Sequence, residues 1–308
     1  MKAAVVGVGH LGRHHARILA AMEGVELAAV CDTNRERARE IAEQYGTSTV
    51  DDPAALIGQV DAVVVATPTA SHLEVAMPLI GAGIAVLVEK PLARTLREAD
   101  ALVEAARATG TPLAVGHTER FNPAVAAAGP LLTSPRFIEC HRLSTFSERS
   151  LDIDVVFDLM IHDLDVVLSF VDSPVSAIDA VGVPVLSPRI DIANVRLRFA
   201  SGCIVNLTAS RISRDRVRKI RVFQPDSYVA VDYAEQELEV YRLVRPAVGP
   251  PRIEGGRIDV QRDEPLRREL EDFVTAVREG RDPAVPGEDG RRALALAQQI
   301  TDAMHSLV

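Results

Sequence analysis

Over residues 1–118, short apolar runs alternate with longer stretches whose apolar positions recur at helical spacing. The apolar runs are 3–6, 27–30, 62–66, 85–88 and 113–115, and the helix-like segments between them are 10–22, 35–45, 71–81 and 96–109. Gly46, Gly83 and Gly110 follow helix-like runs, where a helix C-terminus favours glycine. Continuous apolar strands alternating with helices predict a parallel sheet covered on both faces, so 1–118 reads as a doubly wound α/β domain.

From residue 119 the period changes. A helix-like stretch, 155–171, precedes segments with strict alternation: Val195, Leu197 and Phe199 against Asn194, Arg196 and Arg198. Ser201-Gly202 reads as a tight turn into an alternating run, 203–210, and the series continues at 217–223, 228–232 and 238–242. The Pro/Gly-rich stretch 246–256 reads as a loop, and helices at 266–279 and 289–306 follow. Residues 119–308 are therefore expected to form an α+β domain with one large, open, mainly antiparallel sheet.

Composition narrows the partners. At 308 residues the chain suits two domains, and its 47% hydrophobic and 25% charged content is that of a globular protein. A formal charge of −9 opposes sustained binding to nucleic acid or an anionic membrane, and 4% aromatics without Trp give no stacking platform. No run approaches ~18 uninterrupted apolar residues, and the opening apolar run lacks the basic region and cleavage site of a secretory leader. Cys31, Cys140 and Cys203 are odd in number and widely spaced, which fits reduced thiols and neither a disulfide framework nor a zinc site. The expectation is a cytoplasmic protein with a small-molecule partner and no metal.

Gly7-Val8-Gly9-His10-Leu11-Gly12 follows the first strand and opens the first helix. In that context a GxGxxG motif binds a dinucleotide: Gly7 for the tight turn, Gly9 for close approach of the pyrophosphate, Gly12 for helix-on-strand packing. Free N–H groups at the helix start serve the phosphates, and His10 lies beside them. Asp32 stands 20 residues after Gly12, at the end of the second strand, where a carboxylate accepts ribose hydroxyls and repels a 2′-phosphate. NAD is therefore expected over NADP, with Arg35 and Arg37 close enough to soften the preference.

Two segments carry candidate chemistry. Glu89-Lys90-Pro91 ends the fifth strand, at the carboxyl edge where open α/β sheets bind ligands, and a lysine there suits proton traffic or holding a substrate oxygen. In 154–165, Asp158, His162 and Asp165 form one polar stripe on an otherwise apolar helix, so a carboxylate stands one turn from an imidazole. That spacing suits a general base and its orienter, or a helix-stabilising pair. His14 and His15 read as solvent-facing. The run 211–221, with Arg211, Arg214, Arg216, Arg218, Lys219 and Arg221, reads as an anion clamp or as the polar face of an edge strand.

Together these segments resemble the glucose–fructose oxidoreductase / inositol dehydrogenase / rhizopine-catabolism (Gfo/Idh/MocA) family. The matching pieces are 6–12, Ala66-Thr67-Pro68 with His72, 88–92, Gly116-His117 with Arg120-Phe121-Asn122-Pro123, 158–165, and Gly287-Glu288-Asp289-Gly290. The resemblance implies that Lys90 and His162 serve the reacting carbon, with Asp158 orienting them. It implies that Thr67, Pro68, His72, Glu89 and Lys90 line the cofactor with the glycine motif. It also implies a homodimer or homotetramer through the C-terminal sheet. Family members often carry glycines before the Asp-x-x-x-His helix, where this chain has Asp154-Val155-Val156-Phe157.

Segments 117–123, 157–163 and 209–213 resemble the branch of the family that oxidises C3 of UDP-N-acetylglucosamine in lipid A precursor synthesis. His117, Arg120, Asn122 and Arg211 would then contact substrate, with the arginine-rich run pairing with its diphosphate. The resulting expectation is an NAD-dependent dehydrogenase of a sugar or nucleotide-sugar secondary alcohol. Its rivals are a dehydrogenase of a free polyol such as myo-inositol and a non-catalytic dinucleotide sensor.

Overall fold

The computed structural model describes residues 1–146 and 153–305. Its first compact unit comprises Met1–Thr118 with Leu266–Leu294, and its second comprises Glu119–Pro265 with the chain from Ala295 onward.

The first unit runs β1 (Lys2–Val6), α1 (Gly12–Ala21), β2 (Glu26–Cys31), α2 (Arg35–Tyr45), β3 (Ser48–Val50), β4 (Ala62–Val65), α3 (His72–Gly81), β5 (Ala85–Glu89), α4 (Leu96–Thr109) and β6 (Leu113–Gly116). Its sheet is wholly parallel in the order β3-β2-β1-β4-β5-β6. β4 and β5 are buried along their whole length, which is why they read as unbroken apolar runs. β3 escaped that reading because it is three residues long and begins with exposed Ser48 and Thr49. Local chemistry starts the helices: the Asn34 side chain accepts the Arg37 N–H ahead of α2, and Thr95 accepts from Glu98 ahead of α4. The chain turns back between β1 and β4, so the ligand crevice of this topology opens at their carboxyl ends.

The second unit contains α5 (Pro123–Ala128) and β7 (Phe137–Leu143), then a π-helical turn (Val156–Met160) running into α6 (Ile161–Phe170). There follow β8 (Val175–Val183), β9 (Ile192–Phe199), β10 (Ile204–Ser210), β11 (Val217–Gln224), β12 (Ser227–Asp232), β13 (Glu237–Val244) and β14 (Arg252–Ile258). The eight strands order as β14-β13-β12-β11-β7-β10-β9-β8, antiparallel throughout except for β7 beside β10. One face buries Ile138, Cys140, Val195, Leu207 and Ile220 against Met160, Leu164 and Val167.

Three expectations change here. β14 occupies part of the stretch read as a loop, since Gly255 and Gly256 hide a strand whose other residues are largely exposed. β11 lies between β12 and β7, so the arginine-rich run leads into an interior strand rather than an edge. Helix α7 (Pro265–Glu279) and the first half of α8 (Gly287–His305) belong to the first unit, although the sequence assigned them to the second domain. The reason is the apolar stripe of α7: Leu270, Phe273 and Val274 share one core with Leu19, Leu27 and Val30.

Candidate active site

At the end of β1 the Gly7 N–H donates to the Cys31 carbonyl at 2.7 Å, and Gly7 takes φ +85°. A side chain at Gly7 would place Cβ 2.7 Å from the Ala66 carbonyl carbon, and one at Gly12 would collide with the Gly7 carbonyl oxygen. Gly9 differs: a Cβ there would meet nothing closer than Arg37 Nη1 at 3.8 Å, an ordinary contact, so it has room on that side. Gly9 also lines a cleft of about 670 Å³ together with Gly7, His10, Leu11, Asp32, Arg37, Thr67 and Pro68.

Asp32 ties the cleft together. Its Oδ2 accepts the Val8 N–H at 2.9 Å and its Oδ1 accepts the Asn34 N–H at 2.8 Å. Each oxygen keeps a lone pair for a ligand hydroxyl. The Thr67 hydroxyl oxygen, in the same lining, is buried with no hydrogen-bond partner among the described residues. Bare backbone at Gly9, a spare acceptor at Asp32 and an unsatisfied hydroxyl at Thr67 fit a dinucleotide. Arg35 instead pairs with Asp51 at 3.2 Å, leaving Arg37 as the arginine in the cleft.

His72 does not line this cleft as expected. It is buried, with Nδ1 3.0 Å from the Pro91 carbonyl and Nε2 3.0 Å from the Thr67 carbonyl. Burial pushes its pKa down, with those carbonyls opposing, and the ring braces the Thr67 loop against the loop after Lys90. Glu89 also turns inward, where its Oε1 meets His15 Nε2 at 2.7 Å. His15 is therefore fully buried, contrary to the solvent-facing expectation. The missed signal was its place on the inward stripe of α1 with Gly12, Ala16 and Leu19. Lys90 follows at the carboxyl end of β5, half-buried, through a cis Lys90–Pro91 peptide, and His117 is buried just beyond β6.

In the second unit, Asp158 lies in the π-helical turn and His162 in the first turn of α6, both partly exposed. The expected single α-helix is thus broken by a wider turn at its start, a feature frequent at functional sites. Asp165, the third member of the stripe, is buried and pairs with Arg120 at 3.3 Å. Beside it Asp163, which the sequence did not single out, takes a bidentate bond from Arg142: Nε to Oδ2 at 2.7 Å and Nη2 to Oδ1 at 2.9 Å. Arg142 also bonds Glu119 at 3.0 Å and lies over the Tyr233 ring. This buried network anchors the start of α6 to the sheet.

Two expected substrate contacts are engaged in hydrogen bonds within the second unit. Asn122 caps α5 by accepting the Ala124 N–H at 3.1 Å and donates to the Tyr233 carbonyl at 2.9 Å. Arg211 is buried on Asp191, Nε to Oδ1 at 3.0 Å, and donates to the Ile153 and Ile190 carbonyls. Of the same run, Lys219 pairs with Asp232 and Arg221 with Glu139, whereas Arg214, Arg216 and Arg218 have no ion pair among the described residues.

Residues 1–117 match the family model described as oxidoreductase family, NAD-binding Rossmann fold, and residues 133–226 match the GFO/IDH/MocA C-terminal domain. The chain belongs to the GFO/IDH/MocA oxidoreductase family. UDP-N-acetylglucosamine 3-dehydrogenase of Acidithiobacillus ferrooxidans is 38% identical over 100% of this chain and 98% of its own length. A solved structure of that enzyme superposes with TM-score 0.93 over 99% of this chain and 98% of the other. Myo-inositol 2-dehydrogenase of Thermotoga maritima is 28% identical over 96% of this chain and 94% of its own. Levoglucosan dehydrogenase in complex with NADH and L-sorbose shares the fold, with TM-score 0.88 at 20% identity over 99% of this chain and 97% of the other. The chain is thus a sugar or polyol oxidoreductase acting on CH–OH groups, with an NAD-type dinucleotide domain. Sensing without catalysis, a rival on sequence alone, gives way to these dehydrogenase relatives. Among the described residues no group of side chains could hold a metal ion, and no helix is long and apolar enough to cross a membrane. All three cysteines are free and buried.

Proposed function

We propose that this family member oxidises the C3 hydroxyl of UDP-N-acetylglucosamine with NAD. The observation that carries the reading is full-length 38% identity to a UDP-N-acetylglucosamine 3-dehydrogenase. Gly7, Gly9, His10, Leu11, Gly12, Asp32, Thr67 and Pro68 would hold the dinucleotide, which when bound supplies the hydride acceptor. His162 takes the substrate hydroxyl proton, Asp158 orients the imidazole, and the Lys90 ammonium holds the oxygen as it becomes a carbonyl.

Diphosphate recognition falls to Arg214, Arg216 and Arg218, because Arg211 is committed to Asp191. Partial desolvation, then the charge of Arg142, holds the Arg218 pKa below its usual value against Glu119 and Asp163, and Arg216 adds to the lowering. An anion bound there would relieve that repulsion. Arg120 and His117 remain candidate sugar contacts. A homo-oligomer through the second sheet is supported by an aromatic row across β7, β11, β12 and β13. In it Phe137, Phe223, Tyr228 and Tyr241 stand 5.2–6.3 Å apart between neighbours.

NADH formation followed by absorbance tests the reading, with UDP-N-acetylglucosamine, UDP-glucose, free N-acetylglucosamine and myo-inositol as substrates. Turnover of UDP sugars alone is the expected result. Turnover of myo-inositol alone would move the assignment to the polyol side of the family.

A further inference from the structure

His15 is buried on the dinucleotide-binding helix and serves no ligand in the reading above. Its Nε2 lies 2.7 Å from Glu89 Oε1, with side-chain exposures of 0% and 8%. A carboxylate only accepts, so Nε2 carries the hydrogen. The other carboxylate oxygen, Oε2, accepts the backbone N–H of Lys90 at 3.2 Å. From β6, Gly116 approaches so closely that a Cβ there would sit 3.0 Å from Oε2. Glu89 is thus clamped on three sides: by an imidazole, by the amide of the residue assigned to the substrate oxygen, and by bare backbone.

Burial alone would raise the Glu89 pKa, but the His15 hydrogen bond and charge, then the charge of Lys90, outweigh it and hold the carboxyl below its ordinary range. The titratable groups facing Glu89 include His15 from α1, Lys90 at the end of its own strand and, more weakly, His72 from α3. His15 gives it a side-chain hydrogen bond at 2.7 Å.

We propose that His15 is a positioning residue for Lys90: it keeps the Glu89 carboxylate fixed and charged, and that carboxylate holds the Lys90 backbone and favours its ammonium form at the end of β5. The inference rests on the reading of Lys90 as the group that holds the substrate oxygen. Without the imidazole donor, a buried carboxyl would take up a proton, and Lys90 would lose the negative charge of Glu89 beside it.

The chain has three lysines, Lys2, Lys90 and Lys219. Full-length protein carrying 13Cε-labelled lysine therefore gives three side-chain resonances, of which Lys90→Arg identifies one. In His15→Leu the Lys90 titration midpoint is expected to fall by about one pH unit. His15→Gln keeps an N–H donor at similar reach and holds the midpoint near that of the unaltered protein. Glu89→Gln lowers it as His15→Leu does, and combining the two lowers it no further.

An unmoved midpoint in His15→Leu, or in Glu89→Gln should His15→Leu not fold, overturns the proposal. So does a His15→Gln protein shifted as far as His15→Leu. The titration needs no substrate. A protein that shows the Lys90 shift yet oxidises no UDP sugar loses the substrate assignment while the positioning role stands.

Discussion

The Arg211 guanidinium bonds the Asp191 carboxylate at 3.0 Å with both side chains buried, and Asp191 also accepts the N–H groups of Val185, Leu186 and Ser187. Burial would raise the Asp191 pKa, but these hydrogen bonds, led by the Ser187 hydroxyl, hold it well below the usual carboxylate range. Removing one partner strands the other. Arg211→Ala is therefore expected to lower stability by about 3–5 kcal/mol in urea denaturation. A depressed folded-state pKa contributes stability that is present above the unfolded value and lost as pH falls. The stability gap between the unaltered protein and Asp191→Asn should be widest near neutrality and shrink below about pH 4.

Gly9 and Gly12 separate binding from folding. Gly9→Ala adds a methyl at a residue that lines the cleft and meets nothing closer than 3.8 Å, so it should weaken NADH binding while leaving Tm unchanged. Gly12→Ala drives Cβ into the Gly7 carbonyl oxygen and should cost about 1–3 kcal/mol, lowering Tm by several degrees. NADH fluorescence titration and thermal melts on both variants check the contrast.

Asp32 and Arg37 face the same cleft with opposite preferences. The carboxylate favours a ribose hydroxyl and the guanidinium a 2′-phosphate. Asp32→Ala should cut the NAD-over-NADP preference by about tenfold or more, and Arg37→Ala should sharpen it. Paired dissociation constants for NADH and NADPH measure both. An Asp32→Ala ratio equal to that of the unaltered protein would sink the NAD assignment.

Lys90→Ala and His162→Ala should each lower kcat by about 10²–10⁴-fold with little change in NADH affinity. Loss of dinucleotide affinity at unchanged kcat would reverse the assignment of Lys90.

Arg214→Ala and Arg216→Ala should raise KM for UDP-N-acetylglucosamine by about tenfold each while kcat holds, since charge-assisted phosphate bonds are made equally in ground and transition states. Equal KM values in the variants and the unaltered protein would return the diphosphate to other residues.

The sequence by itself determined the parallel sheet, the glycine turn and the position of Lys90. Each is a local property: unbroken apolar runs mark strands buried on both faces, and glycines mark backbone that tolerates no Cβ. The alternating strands from β9 to β13 were legible for the same reason. β7 was not, because its inward positions include the charged Arg142, whose burial depends on Asp163 and Glu119 from other segments. Tertiary structure alone decided that Arg211 is an anchor, that His72 braces the cleft from behind, and that α7 returns to the first core. It alone also turned His15 toward Glu89, 74 residues away. A charged or polar side chain is affordable inside only when its partner arrives from elsewhere in the chain, and spacing along one segment does not reveal that partner.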